Sequence, residues 1–329
     1  MLKYLGLQKL NKNINITKII QLGGVGQWIS IRGRNISNPI MLFLHGGPGA
    51  VCRYYDPQLE KIFTIVNWDQ RGAGNSYTNE VTKESINVKQ LLADTNELVE
   101  YLKKEFNKDK IFLVGHSWGS FLGISTVDRY PDNFYAYIGI AQVVNGRLNE
   151  QISYNYTLEI ARKHKNNQAI EELTTIARME DGLYCNGRNG IHNERQWLYK
   201  LGKGNHRKIN FYMIFNYIIS NKIFPLNKVL YKKGLYFSAE NLWGWSDNVD
   251  LLNQIPQIKI PVFFLTGQYD YVSTFELVDK YYNQLEAPLK ELIWFKHSSH
   301  APHIEEPIIF YKTMNRIRNI ANNEFSKDI

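Results

Sequence analysis

Gly115-His116-Ser117-Trp118-Gly119 follows directly on the apolar run Ile111-Phe112-Leu113-Val114, and few folds accommodate that junction. A continuous β-branched and aromatic run of this length reads as a strand buried on both faces. After Ser117 come Phe121, Leu122, Ile124, Ser125 and Val127, ending before Pro131, the pattern of a helix closed by its proline. Strand, tight turn and helix lift the serine clear of the backbone at the end of a sheet. The flanking glycines are needed because a Cβ at either position would clash where the helix packs against the strand.

The turn has electrostatic consequences. The Trp118 amide opens a helix, where backbone donors lack partners and the dipole favours negative charge. A second donor is expected from the loop after an earlier strand. Ile40-Met41-Leu42-Phe43-Leu44 is such a strand, and His45-Gly46-Gly47-Pro48-Gly49 follows it. Successive glycines let amides point inward, while Pro48 stiffens the loop. Two donors placed this way suit a developing oxyanion.

A serine hydroxyl is a weak nucleophile until a base takes its proton, and the base needs an acid to hold its tautomer. On a strand–turn–helix serine the chain order is Ser, then acid, then His. Asp270 lies just beyond the strand signature Pro261-Val262-Phe263-Phe264-Leu265-Thr266 and is the favoured acid; Asp247 and Asp250, which precede that strand, are alternatives. His297, His300 and His303 all follow the last strand. His300 sits mid-loop, where an imidazole can reach inward, and His297 is the second choice. His45 and His116 are expected to hold loops through side-chain hydrogen bonds.

The remaining pattern alternates strand and helix. Strands are predicted over 17–22 and 27–32, joined by Gly23-Gly24-Val25-Gly26, then 40–44, 63–68, 111–114, 136–141, 261–266 and 289–295. Helices are predicted near 88–106, 274–285 and 306–321. This alternation predicts an α/β fold with a mainly parallel eight-stranded sheet covered on both faces. Residues 146–253 differ, with helical patterns at 150–164, 167–179 and 208–220 and no clear apolar strand. They read as a helical lid inserted into a core made of 1–145 and 254–329.

Hydrophobic residues make up 44% of the 329, ample for a packed core. No stretch approaches the roughly eighteen apolar residues of a membrane span, and Lys3 and Lys9 precede no compact apolar segment of a secretory signal. Cys52 and Cys185 suit a reducing interior, so the expected compartment is cytoplasmic. No cysteine or carboxylate cluster has metal-ligand spacing, so neither metal nor cofactor is expected. The net charge is +8, and 15 Lys+Arg against 10 Asp+Glu in 146–253 place +5 of it there. Without a nucleic-acid motif, this reads as a solvated basic surface, with no nucleic-acid or membrane partner.

Taken together, His45-Gly46-Gly47-Pro48-Gly49, Trp68-Asp69-Gln70-Arg71-Gly72-Ala73-Gly74-Asn75-Ser76 and Gly115-His116-Ser117-Trp118-Gly119-Ser120 resemble the proline iminopeptidase branch of the α/β-hydrolases. The resemblance covers about residues 27–145 and 255–310. It implies the α/β-hydrolase fold, a Ser117–Asp270–His300 triad, and the Gly47 and Trp118 amides as oxyanion hole. It also implies that Asp69 and Arg71 brace the site by pairing with each other. His116 departs from the glycine common in the peptidases, and the lid departs more. Family peptidases hold the substrate's free amino terminus on lid carboxylates, for which Glu180, Asp181, Glu194 and Glu240 are candidates here. Tyr184, Trp197, Phe211, Phe215, Trp243 and Trp245 are candidates for an apolar wall around proline, with Trp243 foremost.

The implied function is a serine hydrolase working through an acyl-enzyme on a short peptide or amide and releasing an N-terminal residue such as proline. The alternative is a carboxylesterase or lactonase with the same triad. Epoxide hydrolase and haloalkane dehalogenase chemistry needs a carboxylate where Ser117 stands, and a non-enzymatic binding module would show a broken triad.

Overall fold

Runs that are apolar on both faces form the middle of the sheet, and half-apolar runs form its edge. The computed structural model describes residues 13–53, 56–176, 184, 187–201, 227–242 and 244–325. Its strands are β1 Ile14–Leu22, β2 Val25–Gly33, β3 Ile40–Leu44, β4 Thr64–Trp68, β5 Ile111–His116, β6 Phe134–Ile140, β7 Val262–Gly267 and β8 Lys290–Phe295. They form one eight-stranded sheet in the order β1-β2-β4-β3-β5-β6-β7-β8. Only the β1/β2 and β2/β4 pairs are antiparallel. Every residue of β3 and β4 is buried, whereas β1 alternates, as an edge strand with one wet face should. The β1–β2 hairpin is tighter than the glycine run suggested. Leu22 pairs with Val25, and Gly23 and Gly24 alone make the turn, both at positive φ.

The helices are α1 Val88–Phe106, α2 Trp118–Arg129, α3 Gly146–Lys163, α4 Asn167–Thr175, α5 Arg188–Lys200, α6 Lys228–Asn241, α7 Phe275–Gln284 and α8 Pro307–Phe325, with single turns at Leu251–Gln254 and Pro302–Glu305. Asn87 caps α1 by accepting the Gln90 amide, and Asn107 ends it in the left-handed region at φ 50. Leu91, Leu98, Val99 and Leu102 of α1, Leu122 of α2 and Val278 of α7 cover one face of the sheet. Phe310, Met314, Ile317 and Ala321 of α8 cover the other. The helical pattern at 208–220 lies outside the described residues.

Connectivity positions the site. The chain leaves β3 for β4 on one side, then returns through α1 to β5 on the other side of β3. The loops after β3 and β5 therefore part at the carboxyl ends of adjacent parallel strands, and this reversal in strand order is where open α/β sheets form their crevice. Between β6 and β7, helices α3, α4 and α5 gather around Tyr154, Ala161, Leu173, Tyr184 and Trp197, an apolar cluster separate from those on the sheet faces. No helix among the described residues is long and apolar enough to cross a membrane.

Candidate active site

Ser117 joins β5 to α2 at φ 54, ψ −121, a conformation L-residues rarely adopt. Such backbone costs about 1–3 kcal/mol and persists only where its surroundings enforce it. Here the Ser117 amide donates to the Ile140 carbonyl of β6 at 3.0 Å, and its own carbonyl accepts from the Ser120 amide at 2.8 Å. The Ser120 hydroxyl donates to that carbonyl as well, at 2.6 Å. A Cβ on Gly119 would press on the Leu44 and His45 carbonyls, the second at 2.7 Å. That close approach brings the elbow against the loop after β3.

The glycine loop is pinned from behind. Gly47 has φ +122, and a Cβ there would lie 2.5 Å from the Gly49 and Ala50 amides. His45 is buried, with Nδ1–H on the Gly46 carbonyl at 2.8 Å, while Nε2 accepts the Gln70 amide at 3.2 Å. That pattern requires the neutral ring, and burial lowers its pKa to about 4. Gln70 also donates from Nε2 to the His45 carbonyl at 3.2 Å and accepts the Trp118 indole N–H at 2.8 Å. One side chain thus ties the glycine loop to the elbow. Its only trace in the sequence was its place in the second motif.

The neighbours of Gln70 correct one expectation. Asp69 and Arg71 do not pair with each other. Asp69 is gripped by Arg53, from Nε at 3.1 Å and Nη2 at 2.5 Å. Arg71 makes a fork on Asp94 of α1 at 2.7 and 2.9 Å, and reaches the Leu22 and Gly23 carbonyls at the β-hairpin. β4 ends at Trp68 and the chain turns over 70–73, where the Ala73 amide donates to the Gln70 carbonyl, and each side chain finds its counter-ion on a different segment.

The structure brings Asp270 and His300 together. Asp270 is fully buried after β7, where its Oδ1 accepts the Val272 and Ser273 amides, both at 2.9 Å. The His300 Nδ1 lies 3.1 Å from Oδ2 and 3.2 Å from Oδ1. The His300 loop is held by two buried carboxylates. Glu305 accepts the Ser299 and Ala301 amides, and Glu306 accepts the His297 amide and Ser298 hydroxyl. His116 donates from Nε2 to the His300 carbonyl at 2.8 Å, tying that loop to the residue before Ser117. Burial, then neighbouring His300, lowers the His116 pKa to about 3. Of the other two histidines, His297 is exposed and His303 is buried against His116 and Phe43. Asp250 accepts Asn253 at the start of a short turn, away from the histidines.

Gly47, Pro48 and Ser117 open into a cavity of about 350 Å³ whose far wall draws on residues of 143–150, 188–195, 235–242 and 244–247. Trp245 and Asp247 line it, as do Glu150, Arg188 and Arg195. Two of the four expected lid carboxylates, Glu194 and Glu240, fall elsewhere. Glu194 is fully buried behind the wall, accepting Ser153 at 3.0 Å and Thr157 at 2.5 Å and pairing with Arg195. Glu240 is exposed on α6 and is not part of the cavity lining. Tyr184 and Trp197 belong to the interior cluster of α3–α5. Glu180, Asp181, Phe211, Phe215 and Trp243 lie outside the described residues.

The profile of the α/β-hydrolase fold family matches residues 39–169. The chain is 34% identical over 313 residues to the probable aminopeptidase YbaC of Bacillus subtilis, spanning 93% of this chain and 96% of that protein. The chain is an α/β-hydrolase. It is also 25% identical over 258 residues to the proline iminopeptidase of Lactobacillus acidophilus, 73% of this chain and 77% of that one. The crystal structure of the proline iminopeptidase of Mycobacterium smegmatis shares the fold, with TM-score 0.67 over 94% of this chain and 99% of that chain, at 14% identity.

In this hydrolase the helical segment is clasped to the loop carrying Asp270. Asn149 of α3 donates to the Val272 carbonyl at 2.9 Å and accepts the Thr274 amide at 2.8 Å. Tyr156 stacks on Tyr271 with centroids 3.3 Å apart. On the opposite rim, Ser238 of α6 donates to the Gly72 carbonyl at 3.1 Å. The hydrolase also carries a charge device that the sequence did not reveal. Burial alone would lower the Arg195 pKa, yet Glu150 and Glu194 together hold it well above its ordinary value. Glu150 and Arg195 both line the cavity, so this ion pair faces it while Glu194 stays buried behind.

Proposed function

We propose that this hydrolase is an aminopeptidase that acts through an acyl-enzyme, with Ser117 as nucleophile, His300 as base and Asp270 as the acid that orients it. Ser117 Oγ attacks the carbonyl of the N-terminal residue and passes its proton to His300 Nε2, while Nδ1–H stays on Asp270. The Gly47 and Trp118 amides stabilise the oxyanion; one such donor is worth about 3 kcal/mol in the transition state. Collapse expels the peptide's amine, which takes the proton from His300. Water, deprotonated by the same imidazole, then releases the amino acid. Residues 146–253 act as the lid over this chemistry, and the enzyme works in the cytoplasm, where its thiols stay reduced.

The observation that carries the amide-and-amine reading is the pair of carboxylates in the cavity wall: Glu150 and Asp247 line the same space as Ser117, alongside Arg188 and Arg195. A cationic amino terminus is the group that such a wall favours, and an ester of a simple acid offers it nothing. The 34% identity to a probable aminopeptidase over nearly the whole chain supports the same reading.

The test is hydrolysis of a prolyl arylamide, its N-acetylated analogue and a short-chain nitrophenyl ester. The free-amine arylamide should exceed the acetylated one in kcat/KM by about a hundredfold, the worth of a charge-assisted hydrogen bond pair. Cleavage of the ester with both arylamides inert would replace the aminopeptidase by a carboxylesterase.

A further inference from the structure

Arg188 stands in the first turn of α5 and lines the cavity that Ser117 opens into. Arg188, Ile191 and Arg195 all line it, a spacing of i, i+3, i+7 that turns one face of the helix to the cavity. The two guanidiniums differ in their commitments. Arg195 is satisfied by Glu150 at 2.5 Å, by Glu194 and by the Ser153 hydroxyl at 2.9 Å. Among the described residues, no side chain forms an ion pair or hydrogen bond with Arg188. Its position is also electrostatically adverse, because the first turn of a helix is the positive end of its dipole. Its N-cap residue is Gly187, which has no side chain to cap that turn, so its amides add to the same positive potential. A half-buried cation at that end gains nothing from the fold that would explain its presence there.

We propose that Arg188 binds a carboxylate of the substrate, and that the preferred substrate is therefore a short free peptide with both termini unblocked. This rests on the aminopeptidase reading. The cavity is then dipolar, with Glu150 and Asp247 for the amine and Arg188 for the carboxylate on the leaving side of the scissile bond. A planar guanidinium fork matches a carboxylate in two parallel hydrogen bonds, which an amide or arylamide cannot accept in the same way. A space of about 350 Å³ suits a ligand of two or three residues and not an extended polypeptide. The +5 balance of residues 146–253 favours approach of an anionic end from the lid side.

The test compares one dipeptide with its C-terminal amide, following release of the N-terminal amino acid, with an aminoacyl arylamide as the reference substrate. Amidation should lower kcat/KM by about tenfold to a hundredfold, chiefly through KM, the range of one charge-assisted contact. Arg188→Gln should bring the acid-to-amide ratio close to one, and Arg188→Lys should keep part of it. Equal kcat/KM on acid and amide, with the arylamide cleaved, overturns the carboxylate assignment and leaves the aminopeptidase standing. Undiminished discrimination in Arg188→Gln also overturns it, by assigning the carboxylate to another group. If dipeptide, amide and arylamide are all inert, both readings fail together.

Discussion

Acid should destabilise this protein through its buried imidazoles, and His45 makes the cleanest case. Its folded pKa is lowered from 6.5 to about 4, first by burial, with Arg53 adding to the effect and the Gly46 carbonyl opposing it. Between those values the unfolded chain binds a proton that the folded chain refuses. Stability is therefore complete above pH 6.5 and is lost as pH falls towards 4. Each pH unit inside the window removes about 1.4 kcal/mol, so moving from pH 7 to pH 5 removes about 2 kcal/mol through this one ring. His45→Gln keeps a donor for Gly46 and an acceptor for Gln70 but cannot titrate. Urea denaturation at pH 7 and pH 5, read at constant slope, should show wild type losing about 2 kcal/mol more than the variant. His116, with a pKa of about 3, titrates in the same direction in both proteins and cancels from the difference. Equal losses in the two proteins would mean that His45 meets solvent or an unrecognised counter-charge, and the pinned-loop account would fall.

Other changes follow from the same geometry. Gly119→Ala should lower stability by about 3 kcal/mol, because its Cβ meets two backbone carbonyls that cannot move without the strand; an unchanged thermal midpoint would refute the tight elbow. Glu305→Ala should reduce kcat by about a hundredfold with little change in KM, since it releases the loop that carries His300; an equal loss in KM would place Glu305 in substrate binding instead. Asp94→Asn should cost about 3–5 kcal/mol in denaturation experiments, because the Arg71 guanidinium is left buried beside a neutral group. A loss below about 1 kcal/mol would show that water reaches that pair.

Most of the core could be read from residue pattern because its strands are apolar on both faces and its glycines answer hard steric limits. Ile111–Val114 had no other plausible fate, and the clash expected at Gly115 and Gly119 is present in the structure. The junction of Asp270 with His300 followed from chain order together with their places in the loops after the last two strands. Side-chain partners were harder, because pairing depends on where distant segments pass. Nothing in the residue pattern singled out Asp94 of α1, yet it holds Arg71. Arg53 carried no pattern at all before it was seen against Asp69. Glu305 and Glu306 stand just before Pro307 without any pattern that marks a partner, and both turn back onto the preceding loop. In the lid, Glu194 lies three residues before Trp197 on a mostly polar helix, and a carboxylate there gives no sign of burial. Glu150 is one of two carboxylates in a polar helix, and only its pairing with Arg195 shows which way it faces.

The central claim is that Ser117 is a nucleophile activated by the His300–Asp270 pair. Reaction with a fluorophosphonate, with the modified peptide identified by mass spectrometry, tests it directly. Stoichiometric labelling confined to Ser117, absent in Ser117→Ala and slowed at least about a thousandfold in folded His300→Ala, is the predicted result. Labelling at another residue, or an undiminished rate without the imidazole, would contradict it.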